Sequence, residues 1–296
     1  MIRFLFVFLS LAICISSQSQ DKKQNLSAKG QQVMKAGGGY SFTEGPAVAP
    51  DGRVFFTDQP NDKIDVWSEK GNITTFMQPC ERSNGLYFNQ KGELVACADL
   101  HNRLVVITMN KQMRTVAENY NEQPLNAPND LWIAPNGGIY FTDPYYHRNY
   151  WVPGRKELQD KRGVYYLNPE GKVIRVIDDY KQPNGLIGTP DGKTLYVSDI
   201  NDGKIWKYDI QPDGTLGNKT FFAPEGSDGM TIDNQGNVYL TNKVVSVFNS
   251  EGKNIARIEV PEQPSNVCFG GKKRNILFIT ARTSVYTLKM NVKGVN

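Results

Sequence analysis

Six short phrases of the 296-residue chain each open on a side chain that can offer an oxygen to a ligand. They are Glu44 in "EGPAVAPDGRVFFTD", Asn84 in "NGLYFNQKGELVACAD", Asn129 in "NDLWIAPNGGIYFTD", Asn184 in "NGLIGTPDGKTLYVSD", Asp228 in "DGMTIDNQGNVYLTN" and Asn266 in "NVCFGGKKRNILFITA". If these heads converge, two carboxylates and four amides make an oxygen-rich site. Desolvated carboxylates are costly without a counter-charge, so convergence calls for a cation. With no His or Cys in the set, a hard ion such as Ca²⁺, Mg²⁺ or Mn²⁺ fits best, with the borderline Zn²⁺ a further possibility and no organic cofactor. Such an ion polarises a carbonyl and orients water, and a carboxylate beside it can move the proton. Only two histidines are present, His101 and His147, too few for a multi-His zinc site or a convincing His-based nucleophile triad. Taken singly, each head also suits a local cap or turn before glycine; six in register favour a shared polar channel.

Something must bring the heads together, and the phrases themselves supply it. The heads are spaced by 40, 45, 55, 44 and 38 residues. Each phrase reads as a β-hairpin: runs such as Val54-Phe55-Phe56-Thr57 favour strands, and Asp51-Gly52, Asn136-Gly137 and Asp191-Gly192 are tight-turn dipeptides. Further strand-like runs, "KIDVWS", "RLVVITM", "GVYYLN" and "KIWKYDI", follow the hairpins. Four strands at a period near forty residues predict one propeller blade per repeat. Six repeats over residues 41–292 predict an all-β, six-bladed β-propeller with a central metal-binding channel, because the innermost strand of every blade faces the same axis. Residues 20–40 are expected to supply an outer strand closing the ring. Aspartates at the second-strand ends, Asp58, Asp99, Asp143 and Asp199, are expected to satisfy backbone donors at turns. Asp130 either faces the channel or braces a loop. The longest gap contains "YYHRNYWVPGRKELQDKRG", an expected loop over one mouth, in which Tyr145, Tyr146 and Trp151 wall a pocket or pack on the rim and His147 is a lid or substrate contact.

Composition narrows the function classes. A net charge of +4 without a Lys/Arg block speaks against a nucleic-acid footprint. Arg3 followed by "FLFVFLSLAICI" and a small, polar stretch reads as a signal peptide over residues 1–19, which implies a secreted or periplasmic protein with no membrane span in the mature chain. Cys80, Cys97 and Cys268 lack a CxxC spacing and read as buried thiols or one disulfide plus a thiol.

The phrases "TEGPAV", "NAPNDLWIAPNGGIYFTDPYY", "QPNGLIGTPDGKTLYVSD" and "SDGMTIDNQGNVYLTN" resemble the gluconolactonase/regucalcin family of six-bladed propellers, from about Ser41 to Val292. The "FTDPYY" run and the leader are similar to those of its secreted bacterial gluconolactonases. The resemblance implies a Ca²⁺-type ion held by Glu44, Asn184 and Asp228, with Asp228 also the catalytic acid/base and Asn129 contacting substrate. It departs at Ala127, where animal regucalcin-type members carry an Arg, and at His147, near where they carry a Glu. The expected activity is hydrolysis of a sugar lactone such as glucono-1,5-lactone by a monomer or dimer. Asn84, Asn129, Asp130 and His147 are expected around the substrate. The alternatives are a lactonase or esterase for non-sugar lactones, and a non-catalytic propeller whose ion is structural. A strictosidine-synthase-like condensation fits the heads less well.

Overall fold

The alternating apolar runs become six four-stranded antiparallel sheets in the computed structural model, which describes residues 26–295. The signal-peptide reading over residues 1–19 lies outside the described residues. Each of the first five sheets is one sequence repeat, running from an inner strand outward. The inner strands are Thr43–Val48, Ser83–Phe88, Leu131–Ile133, Pro183–Gly188 and Met230–Ile232. The sixth sheet begins at Asn266–Gly270, passes through Ile276–Ala281 and Ser284–Lys289, and takes its outermost strand from Met34–Gly38, near the other end of the chain. That pairing joins the two ends of the ring, so the sheet edges left by opening it are closed.

Tight turns fall where the dipeptides place them. Gly52 and Gly137 have φ of 92° and 86°, a region that only glycine enters at little cost. The apolar core lies between neighbouring blades: Trp132, Tyr140, Tyr166, Leu186 and Tyr196 interleave between the third and fourth, and Val54, Phe56, Trp67 and Phe278 close the sixth against the first. Each such fully buried side chain contributes about 1.5–3 kcal/mol by leaving water.

A second adhesive recurs at the ends of the second strands. The Thr57 hydroxyl donates to the Asn84 carbonyl at 3.1 Å, and the Thr241 hydroxyl to the Ser265 carbonyl at 2.7 Å. These hydroxyls, the Thr of the "FTD" and "LTN" phrases, tie one blade to the entry of the next. Cys80, Cys97 and Cys268 are buried free thiols, which settles the sequence alternatives in favour of thiols. Among the described residues, no helix is long and apolar enough to cross a membrane.

Candidate active site

The strand ladder is broken where it meets the axis. Register shifts interrupt the inner strands between Glu44 and Ala47, between Ser83 and Leu86, and between Pro183 and Leu186. Such bulges re-aim side chains, and here they release Glu44, Asn84 and Asn184 from ordinary alternation. Asn129 and Asp228 lie just ahead of their strands. Asn266 is the exception, in regular register opposite Thr280.

The glycines after the heads explain why the phrases read "NG" and "DG". Gly85 and Gly185 make no turn with positive φ. A Cβ on Gly85 would stand 2.5 Å from the Asn129 carbonyl oxygen, and one on Gly185 the same distance from the Asp228 carbonyl oxygen. These glycines let the backbone of one blade press against the head of the next, which draws the heads inward.

Glu44, Asn84, Asn129, Asp130, Asn184 and Asn266 are buried, and Asp228 keeps partial exposure. The heads also touch. The Asn184 Nδ2 donates to Asp228 Oδ1 at 2.8 Å, and the Asn266 Nδ2 donates to Glu44 Oε2 at 3.1 Å. Asp130 turns to the channel: it lines a small cavity beside Leu186 and Asn266, and its Oδ1 accepts the Leu131 N–H at 2.9 Å. Among the described residues, no hydrogen bond holds the side-chain amides of Asn84 or Asn129, so both are free to meet a ligand.

The acids feel one another. Burial raises Glu44 well above its ordinary value, and the Asp228 carboxylate adds to the rise. Burial lifts Asp130 to about 7 and Asp228 to about 6. The nearby charges of Arg282 and Arg148 pull Asp228 down only in part. Three carboxyl groups thus raise one another in a desolvated space, a condition that a divalent ion relieves.

Among the described residues, no three His, Cys, Asp or Glu side chains form a metal cage by themselves. A cation in the channel would therefore also draw on amide oxygen, and one is ready. The Asn184 Oδ1 is buried without a hydrogen-bond partner, although the Nδ2 of the same amide is fully engaged with Asp228 and with the Tyr146 hydroxyl, each at 2.8 Å. A buried carbonyl oxygen left bare costs free energy; on an amide held by the Asp228 carboxylate it suits a hard cation. Glu44, Asn184 and Asp228 fit such an ion by donor chemistry.

The insertion does reach the heads, through Tyr146, one of the aromatic residues expected to wall a pocket or pack on the rim. His147 is exposed, and its neighbour Tyr146 meets Asn184. Arg148 and Trp151 both bind Asp99, at 2.8 and 3.1 Å. The expectation for the strand-end aspartates holds for three of four. Asp58 accepts the N–H groups of Ser41 and Phe42, Asp143 those of Asn126 and Ala127, and Asp199 those of Lys181 and Gln182. Asp99 departs because Asp62 takes its place, accepting from Cys80 and Arg82. Ala127 is buried, its N–H spent on Asp143. Tyr146 and Arg148 left no periodic signal, since the loop has no strand or helix to give one.

A gluconolactonase of Zymomonas mobilis is 28% identical over 284 residues, covering 86% of this chain and 80% of that protein. A gluconolactonase of Xanthomonas campestris superposes with a TM-score of 0.83 at 26% identity, covering 90% of this chain and 91% of that one. The calcium-binding regucalcin of Agrobacterium tumefaciens, at 22% identity and a TM-score of 0.75 over 90% of this chain and 95% of that one, shares the fold. The SMP-30/Gluconolactonase/LRE-like region matches residues 42–283, from the strand that carries Glu44 to the turn before the last strand. With all six heads inside that span, the chain belongs to the SMP-30/gluconolactonase/LRE-like family.

Proposed function

We propose that the chain is a divalent-metal-dependent lactonase that hydrolyses a sugar lactone of the glucono-1,5-lactone type to its aldonic acid. The observation that carries this reading is the bare Asn184 Oδ1, buried beside Asp228 in a channel shared with Glu44. Family membership and the gluconolactonase relatives support the same chemistry. Glu44, Asn184 and Asp228 would hold the ion, Ca²⁺ first by donor type. When bound, it supplies Lewis acidity toward the lactone carbonyl.

The chain's own groups carry the proton and the substrate. Burial lifts Asp228 to about 6, which keeps a large share ionised near neutrality yet able to take a proton. It accepts one from water as the water oxygen bonds to the lactone carbonyl carbon. The ring ester bond then breaks, and the same proton returns to the departing ring oxygen, which becomes a hydroxyl. Asn84 and Asn129 would orient the substrate and donate to the developing oxyanion. Asp130, lifted to about 7 at the channel floor, adds a polar boundary.

A second reading, hydrolysis of a less polar lactone, gains from the Tyr146 side chain that meets Asn184 and from the short side chain of Ala127. Rates of metal-stripped protein on glucono-1,5-lactone and on an aliphatic δ-lactone, before and after adding Ca²⁺, Mg²⁺, Mn²⁺ or Zn²⁺, test both. A metal-restored rate confined to the sugar lactone is the expected result. Activity confined to the aliphatic lactone would move the assignment to the second reading, and no rate on either would overturn both.

A further inference from the structure

We infer that Tyr146 is a positioning residue of the cation site: its hydroxyl fixes the orientation of the Asn184 amide, and the buried Asp99 pins the loop that delivers it. This rests on the reading that the channel heads hold a divalent ion.

A side-chain amide presents two faces, one that donates and one that accepts, and only the accepting face can bind a cation. A carboxylate in its ionised form only accepts, so the donating face of Asn184 must turn to Asp228, which it meets at 2.8 Å. The second N–H of that nitrogen reaches the Tyr146 hydroxyl, also at 2.8 Å. With both hydrogens anchored, the oxygen has one direction left, and it is buried there with no protein partner. Asp228 alone would hold one hydrogen and leave the amide free to tilt about that bond. Tyr146 removes this freedom before any ion arrives.

Tyr146 stands in an irregular stretch, where backbone alternation cannot aim a side chain. The loop is held from two sides instead. On the side of the second blade, the Arg148 Nε donates to Asp99 Oδ2 at 2.8 Å and the Trp151 Nε1 donates to Asp99 Oδ1 at 3.1 Å. The Arg148 guanidinium also lies 5.4 Å from the centre of the Tyr146 ring. On the side of the fourth blade, the Gln182 Nε2 donates to the Tyr145 carbonyl at 2.8 Å. Asp99 is available because Asp62 has taken over the backbone N–H groups that its counterparts hold in other blades. A strand-end acid has in this way been turned from bracing its own blade to bracing the loop.

The role predicts an effect on ion affinity larger than any effect on folding. Groups that orient metal ligands typically change affinity 10–100-fold when removed. Calorimetric titration of the full chain with Ca²⁺ is expected to show binding at least about tenfold weaker in Tyr146→Phe, with the melting temperature of the ion-free chain little changed. Excess Ca²⁺ is expected to restore most of its lactonase rate, which loss of a catalytic group would not allow. Asp99→Asn, which leaves Tyr146 in place but loosens its loop, is expected to shift affinity the same way by a smaller factor, and it decides the matter if the first variant folds poorly. Wild-type-like Ca²⁺ affinity in the folded variants would overturn the positioning role and leave the ion site standing. A wild-type chain that binds neither Ca²⁺, Mg²⁺ nor Mn²⁺ would overturn the ion site itself, and this role with it.

Discussion

Asp143 ends the second strand of the third blade and Asp228 heads the fifth, and their surroundings are opposite. Asp143, fully buried at a strand end, receives the Asn126 and Ala127 N–H groups, both at 2.8 Å. Asp58 and Asp199 repeat that arrangement in the first and fourth blades. Asp228 meets the Asn184 amide, and its charge adds to the rise of both Glu44 and Asp130. Peptide N–H groups have nowhere else to go in the interior, so an acid that satisfies them is part of the fold. Asp228 instead accepts from a side-chain amide that has no backbone ladder to satisfy, and its charge raises two other acids. The difference lies in the donors, since the side chain is the same.

The sharpest way to break this contrast is to remove one acid of each kind. Asp228→Ala is expected to lower the lactonase rate by about 10²–10⁴-fold at nearly unchanged melting temperature. Steady-state kinetics beside a thermal melt would check it, and retained activity would remove Asp228 from the chemistry. Asp143→Ala should do the reverse. Leaving two buried N–H groups without an acceptor is expected to cost about 3 kcal/mol of stability in denaturant unfolding, with the rate per folded molecule largely kept.

Gly185→Ala probes how the heads are drawn together. Its new Cβ would stand 2.5 Å from the Asp228 carbonyl oxygen, so the fifth-blade head must retreat, at a cost of about 1–3 kcal/mol. Ca²⁺ affinity and stability should fall together. Affinity unaltered by this change would mean that Asp228 reaches its place without the close blade contact.

Dependence on pH offers a gentler test. Burial lifts Asp228 to about 6, raises Glu44 in the same direction, and lifts both Asp130 in the channel and Asp143 in the fold to about 7. Groups raised above their unfolded values, near 4, add stability at pH below those values and lose it as pH climbs through 6 to 7. The ion-free chain is expected to melt a few degrees lower at pH 8 than at pH 5, and Ca²⁺ should recover the share that belongs to the channel acids while leaving that of Asp143. Because protons compete for the same oxygens, Ca²⁺ binding should weaken as pH falls below about 6. A melting temperature that Ca²⁺ leaves alone at pH 8 would argue that the channel acids are not its ligands. The smallest effect is expected from His147→Ala: the exposed ring should change the rate less than about twofold, in keeping with the small effects of exposed substitutions.

Much of the molecule was legible before any coordinates. The period near forty residues, the alternating strands, the Asp-Gly and Asn-Gly turns and the recurrence of Glu44, Asn84, Asn129, Asn184, Asp228 and Asn266 at the heads of the phrases are all local features: a pleat of two residues, glycine's access to positive φ and a repeated phrase. These rules act within a few residues, so the linear chain displays them and every blade repeats them.

The rest depended on which blade faces which. Gly85 and Gly185 look like turn residues in sequence, yet they serve a neighbour more than forty positions away. Asp99 stands at the same strand-end position as Asp58, Asp143 and Asp199, and the presence of Asp62 and the insertion gives it different partners. His147 and Tyr146 are adjacent, and no periodicity decides which of them turns inward, because an irregular loop takes its direction from tertiary contacts such as those of Arg148 and Gln182. The chain alone determined the repeating strand and the residue at its head. The closed ring decided which heads touch, which oxygen is left bare and which loop residue stands over it, since those contacts join residues that local backbone geometry cannot relate.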